Sequence, residues 1–428
     1  MTRGSKMSKL AMLVVGTALF MLVAAAGGSA SQASASGPPD TYVAGWHTVA
    51  IQALTAAAAS PTDGFVIFAN VDIAVYDSVV AIDGGYEPFA VDVDVPDASP
   101  QAAVAAAAHR VLVHYLPSQA ATILDPAYSA SLATIPDGAL KTNGVAVGES
   151  VAQLVIAKRS TDGFRSTVPY TPPNPPIPGK WLPTAPTLPV GTDLPGMTPF
   201  ALDSADQFRP NGPPDLSSKK WARDYNEVKQ IGSSTSSTRT PEQTLAARFW
   251  AEPPLPQGEG ALRKFVLDRQ LDILDAARFM AMASVTRADA AIACFDAKYH
   301  YAFWRPVTAI RAGDTDGNAA TVGDSGWSPL LPATPNHPEY PSAHSCITPA
   351  VGLAMAEFLG TDEIDLTIPS LTGLGDRHYA TVDDLEYEVS NARIWGGIHF
   401  RSAVEDGVKI AHKVAREVLR HNFRETHD

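Results

Sequence analysis

Apolar residues recur at helical spacing through most of this chain, and strand-like alternation is scarce. That property confines it to a mostly α-helical, bundle-like fold. Segments 41–59, 66–82, 99–116 and 137–158 are Ala/Val-rich and predict packed helices. Helical texture returns at 218–231, 241–251, 261–283 and 285–303, and again at 346–359, 384–395 and about 400–420. Between the two blocks the texture breaks. From about 165 to 216 the chain contains TPPNPPIPGKWLPTAPTLPVGTDLPG, too dense in Pro and Gly for a regular helix. Trp181, Leu182 and Phe200 within it predict a long loop wrapped over a core, because a solvated linker needs no large apolar residues.

The 428 residues suffice for one large core or two domains, and the apolar fraction of 45% is that of a globular protein. The first 35 residues read as a secretory signal: Arg3, Lys6 and Lys9 precede the apolar run 10–26, and Ala33-Ser34-Ala35 offers a cleavage site. A retained anchor is the competing reading, and no later stretch is expected to span a bilayer. The expected organisation is thus a signal peptide over 1–35, a secreted location, and a single α-helical domain over 36–428. Removing 1–35 deletes three positive charges and no acids, taking the formal charge from −13 to −16. So acidic a chain excludes nucleic acid as an expected partner. A basic cluster inside it is informative because it runs against that background.

Three segments supply such a cluster. In NHPEYPSAHS, Pro341 closes a loop and Ser342 stands where a helix cap belongs, with Ala343 and His344 following. Free N–H groups at such a start can hold an anion. In KYHYAFWRPVTAIR, Lys298 and Arg305 are seven apart, which predicts one helix face, with Pro306 marking a kink or end. In NARIWGGIHFRS, Arg393 and His399 are six apart, and Gly396-Gly397 allows one helix to end near Arg393 while another opens near His399. Taken singly, each segment also reads as surface cations or a packing contact. Together they offer one Lys, two Arg, two His and helix-start amides, a set suited to phosphate or vanadate.

The order Lys298…Arg305-Pro306, Pro341-Ser342-Ala343-His344 and Ala392-Arg393…His399 resembles the three-part signature of vanadium-dependent haloperoxidases and type 2 phosphatidic acid phosphatases. It occupies a region from 298 to 406. The stretches VDIAVYDSVVAIDGGYEPF and RTPEQTLAARFW resemble the secreted bacterial haloperoxidase-like branch. The resemblance implies a helical-bundle haloperoxidase/acid-phosphatase-like fold with vanadate as cofactor. His399 would be the vanadium ligand, or the nucleophile of a phosphatase, and His344 the acid–base partner. Lys298, Arg305 and Arg393 would hold oxyanion oxygens, aided by the Ser342 hydroxyl and the Ala343 amide. His337, seven residues before His344, occupies a position that carries His in bromide-using members. It reads equally as a loop histidine satisfied by backbone groups.

Three positions depart from the signature. Ala343 replaces a Gly, Ala392 a Ser, and Ala403 the Asp that orients the nucleophilic imidazole in the phosphatases. The leading expectation is a vanadate-dependent peroxidase oxidising bromide or iodide with hydrogen peroxide and halogenating an organic acceptor. A secreted phosphatase acting on a phosphate ester, and a non-catalytic oxyanion binder, are the alternatives. The chain is expected to act as a monomer or a homodimer. Cys294 and Cys346 read either as a disulfide pinning two motifs together or as free buried thiols. Asp72 and Asp77, in an apolar helix, are expected to partner an Arg.

Overall fold

The structure is a computed structural model that describes residues 41–184, 186 and 188–426. The expected signal peptide lies outside these residues. Helices begin where the sequence places caps. Ser60, Ser99 and Thr240 each accept the N–H three residues on, and each is followed by a Pro that fits the first helical turn. In chain order the first block holds α1 (Tyr42–Ala56), α2 (Pro61–Asp83), α3 (Pro100–Tyr115), α4 (Asp125–Ala133) and α5 (Ala139–Arg159). The second holds α6 (Lys219–Ile231), α7 (Pro241–Phe249), α8 (Pro254–Asp268), α9 (Ile273–Tyr301) and the short α10 (Pro306–Arg311). Then come α11 (Ala343–Leu359), α12 (Val382–Trp395) and α13 (Arg401–His421). Elements that sequence pattern did not predict are α4, α10 and an antiparallel pair, β1 (Glu363–Ile368) and β2 (Arg377–Thr381), between α11 and α12.

The centre of the bundle is α9, buried along almost its whole length and packed on α2, α11 and α13. Apolar periodicity alone divides this region near residue 284. The structure divides it at 269–272 instead, where Gln270 turns into the left-handed region and Asp272 caps α9. In α2, length and composition suffice to cross a membrane, contrary to the expectation that no later stretch would qualify, yet its apolar window is entirely buried in the bundle. Buried on all sides, it is a core helix.

Two buried carboxylates tie loops to this core. Asp289 of α9 accepts the N–H groups of Phe200, Ala201 and Leu202, and Asp77 of α2 accepts those of Phe89, Ala90 and Val91. The Pro-rich stretch therefore wraps the core as expected: Trp181 is fully buried, and its N–H donates to the carbonyl of Ala302. The expectation of Arg partners for Asp72 and Asp77 is corrected. Asp77 holds backbone, and Asp72 accepts from His47 and Ser284. His47 bridges Asp72 (2.8 Å) and Glu259 (2.7 Å), and Glu259 is also ion-paired with Arg287. That network braces α1, α2, α8 and α9. Cys294 and Cys346 are free, buried thiols, Cys294 donating to the carbonyl of Pro341 at 4.0 Å, so the disulfide reading is not met.

Candidate active site

The three motifs meet where α9 ends and α11 and α13 begin. Lys298 lies in the last turn of α9. Ala302 then adopts a left-handed conformation (φ 47°) and the chain turns, leaving Arg305 as the residue that precedes α10. Lys298 and Arg305 therefore do not share a helix face as their spacing predicted. The turn brings them together, and Pro306 starts a helix instead of ending one. An aromatic wall holds this turn: Trp221 stacks on Trp304 and meets Phe303 and Phe400 edge-on. On the far side, Arg393 sits in the last turn of α12 and His399 just before α13, as the glycine pair suggested. Gly397 makes the break, with φ +75° and a Cβ position only 2.4 Å from the carbonyl oxygen of Gly232. Gly407 lets α13 approach α11, because a Cβ there would lie 2.9 Å from the Ser342 carbonyl oxygen.

Ser342 caps α11 as expected, accepting from Ser345, and its own N–H donates to Ala403. Ala343 opens the helix with a negative φ, so its extra methyl leaves the amide free of left-handed strain. Both it and His344 line the cavity above the site.

Lys298, Arg305 and Arg393 are buried together without an ion pair to any described carboxylate. Lys298 donates to the carbonyls of Pro338 (3.0 Å), Glu339 (3.1 Å) and Pro341. Arg305 donates to the carbonyls of His337 and Ile398 and to Nε2 of His399 at 3.0 Å. Arg393 donates to the carbonyl of Trp250, and its Nε has no partner. Burial pushes Lys298 down to about 8, Arg305 to about 10 and Arg393 to about 9, the cost of packing like charges away from water. Burial and these same cations hold His399, His344 and His337 well below the usual imidazole value. His337 meets the expected backbone contact and also lines the cavity. It hydrogen-bonds locally, with Nδ1 3.1 Å from the Pro338 carbonyl, and it faces the cavity 3.1 Å from Arg305.

The residue that sequence reading missed is Glu339. Its Oε1 accepts from Nδ1 of His399 at 2.9 Å and from the N–H of Phe400 at 2.9 Å. With the His399 proton on Nδ1, the Nε2 lone pair is the one turned to the cations. Glu339 therefore supplies the orienting carboxylate that Ala403 cannot, from a segment 60 residues upstream. Ala403 and Ala392 are simply buried in the apolar packing behind the site. A signal for Glu339 was present, an acid placed among prolines beside a helix start, but nothing local linked it to His399.

Residues 278–427 match the family model described as the VCPO second helical-bundle domain. The chain superposes on a bacterial vanadium-dependent iodoperoxidase with a TM-score of 0.77 and 24% identity, covering 90% of this chain and 96% of that one. The chain thus shares the fold of a vanadium-dependent haloperoxidase, and its C-terminal third matches that family's second helical bundle. A bacterial vanadium-dependent chloroperoxidase in its holo form superposes with a TM-score of 0.67 at 20% identity (84% and 91% covered), and its apo form at 0.66 and 18% (84% and 93%). No curated protein is similar in sequence. Within this haloperoxidase fold the donor set fits an oxyanion. Three buried cations lack a counter-carboxylate of their own, Arg393 Nε is unpartnered, and one imidazole lone pair points at them.

Proposed function

We propose that this chain is a vanadate-dependent peroxidase that oxidises bromide or iodide with hydrogen peroxide, exported through its basic and apolar N-terminal segment. The observation that carries this reading is the excess of buried positive charge around Nε2 of His399. Arg305 lies against it at 3.0 Å, Lys298 and Arg393 are close enough to hold the imidazole neutral, and Glu339, the one carboxylate among the described residues that touches it, is occupied on the Nδ1 side. Vanadate bound there supplies Lewis-acid activation of hydrogen peroxide without a change in metal oxidation state. The residues' own tasks follow from their positions. His399 offers the Nε2 lone pair. The three cations and the Ala343 amide would hold the oxyanion's oxygens in a site shielded from solvent screening. His344, at the cavity wall and neutral at pH 7, is the group able to move a proton there. The solved structures of similar fold are described as iodo- and chloroperoxidases, which supports peroxidase over phosphatase chemistry.

One observation favours a second reading. A carboxylate-oriented imidazole is also what a phosphoryl-transfer nucleophile needs, so the argument from Ala403 against a phosphatase loses force. A paired assay on the anion-stripped protein separates the two. One arm holds orthovanadate, hydrogen peroxide and bromide with a halogen-acceptor dye. The other holds an aryl phosphate without vanadate. The peroxidase reading expects vanadate-dependent bromination that phosphate suppresses. Ester hydrolysis with no bromination would replace it by the phosphatase, and silence in both arms by an oxyanion binder.

A further inference from the structure

Oxidising a halide requires room for an anion and a peroxide, both small and polar. The cavity over the site is neither small nor polar. It encloses about 300 Å3, within the range that holds small organic ligands. Its lower end is His344, His399, Arg393 and His337. Its walls are Phe65, Val190, Trp250, Phe295, Leu331 and Ile347, supplied by α2, the Pro-rich loop, the turn after α7, α9, the loop before α11 and α11 itself. A second, smaller lobe of about 80 Å3 continues past His344 between α8, α11 and β1, and shares Phe65, Trp250, Pro254, Ile347 and Thr348 with the first. Six separate segments thus converge to build an apolar chamber that ends on the charged site. Halide and peroxide gain nothing from three aromatic side chains, whereas an apolar ring does.

We infer that this chamber binds the halogen acceptor, a small apolar aromatic molecule, beside His344, so that halogenation takes place inside the protein and not by escaped hypohalous acid. The inference rests on the peroxidase reading for its chemistry, although the binding itself does not. The overall step is Ar–H + Br⁻ + H2O2 + H⁺ → Ar–Br + 2 H2O. Bromide gives up two electrons, which the peroxide O–O bond accepts as it breaks. The ring forms a C–Br bond and loses its C–H proton, which leaves in water. His344, neutral and at the chamber wall, is placed to receive that proton. Its neighbour in the chamber, Arg393, excludes a second cation and favours an electron-rich ring over an aliphatic amine.

Two measurements test this on the full-length protein as secreted. The first is calorimetric titration of the anion-stripped protein with 2-naphthol. One saturable site per chain is expected, lost in Ala333→Trp, which places a bulky ring at the exposed rim of the chamber. The second is competition between 2-naphthol and the anionic dye phenol red during turnover with vanadate, peroxide and bromide. Their product ratio is compared with that from added hypobromite. A shift of about tenfold or more toward bromonaphthol, abolished by Ala333→Trp, is the expected result. Absence of saturable binding overturns the inference. So does a turnover ratio equal to that of free hypobromite, even if binding is seen. Saturable, Ala333→Trp-sensitive binding with no bromide oxidation supports the chamber as an aromatic site and removes the peroxidase reading alone.

Discussion

Two clusters of charge are buried in this one helical core, and they are built on opposite rules. Around His47, two acids face two bases: Asp72 and Glu259 hold the imidazole from both sides, Arg287 pairs with Glu259, and Ser284 donates to Asp72 at 2.5 Å. Burial alone would push His47 down, but the two carboxylates outweigh it and raise it to about 10, so the imidazole is charged and the cluster is neutral overall. Around His399, three cations face a single carboxylate, and the imidazole is held neutral. The first cluster is complete in itself and braces helices. The second carries an excess of positive charge that a bound anion would balance. A balanced buried network is weak evidence for function, whereas an unbalanced one implies a ligand.

The contrast makes separable predictions. The largest concerns chemistry. His399→Ala is expected to reduce vanadate-dependent halogenation to the rate of the protein-free mixture while leaving the thermal transition in place; retained activity would assign the vanadate-holding imidazole elsewhere. Next is stability. Glu259→Gln removes one member of the balanced network and leaves Arg287 and charged His47 under-compensated, which should cost about 3–5 kcal/mol in denaturant unfolding. Were that variant as stable as wild type, the network would not be the brace described here.

Anion binding should stabilise the unbalanced cluster and leave the balanced one untouched. Orthovanadate at about 100 times its Kd is expected to add about 2.7 kcal/mol of unfolding free energy to wild type and to Glu259→Gln alike. Chemical denaturation with and without the anion measures it, and an effect missing from wild type would remove the oxyanion site.

Glu339 sharpens the comparison, since it is the one carboxylate of the unbalanced cluster. Glu339→Ala should weaken vanadate about 10–100-fold, the usual cost of losing the group that orients a metal-bound imidazole. Glu339→Gln, which keeps an acceptor for the Nδ1 proton, should recover most of it. Equilibrium dialysis of vanadate reads this without turnover, and equal losses in both variants would point to charge and not to orientation.

A last expectation concerns pH. The folded state lifts His47 from its ordinary 6.5 to about 10, so its stabilisation is complete below about pH 6.5 and is lost as pH rises through about 10. The depressed imidazoles of the anion site act oppositely, costing stability as pH falls below about 6.5. Melting temperatures of wild type and His47→Gln from pH 7 to 10 should converge. Parallel curves would mean His47 does not carry a proton into the folded state.

Much of the site was legible because its chemistry is local. Lys298, Arg305, Ser342, Ala343, His344, Arg393 and His399 lie in short motifs whose caps and glycines set the backbone directly, and the structure brings all of them together. Most helices were legible for the same reason: period and cap residues act over a few positions. The break between α8 and α9 was not, because Leu267, Leu271 and Leu274 carry helical apolar spacing straight across 269–272, and only the left-handed turn at Gln270 and the Asp272 cap place it. What the sequence by itself determined is therefore the helical class and which residues the fold gathers into the candidate oxyanion site. Tertiary structure alone decided that Glu339 orients His399, that His47 joins Glu259 across 212 residues, and that walls from six segments close an apolar chamber over the charges. Those are contacts between distant segments. Burial, and not local spacing, selects their partners, because a charge or an aromatic ring removed from water takes whichever complementary group the packed fold brings within reach.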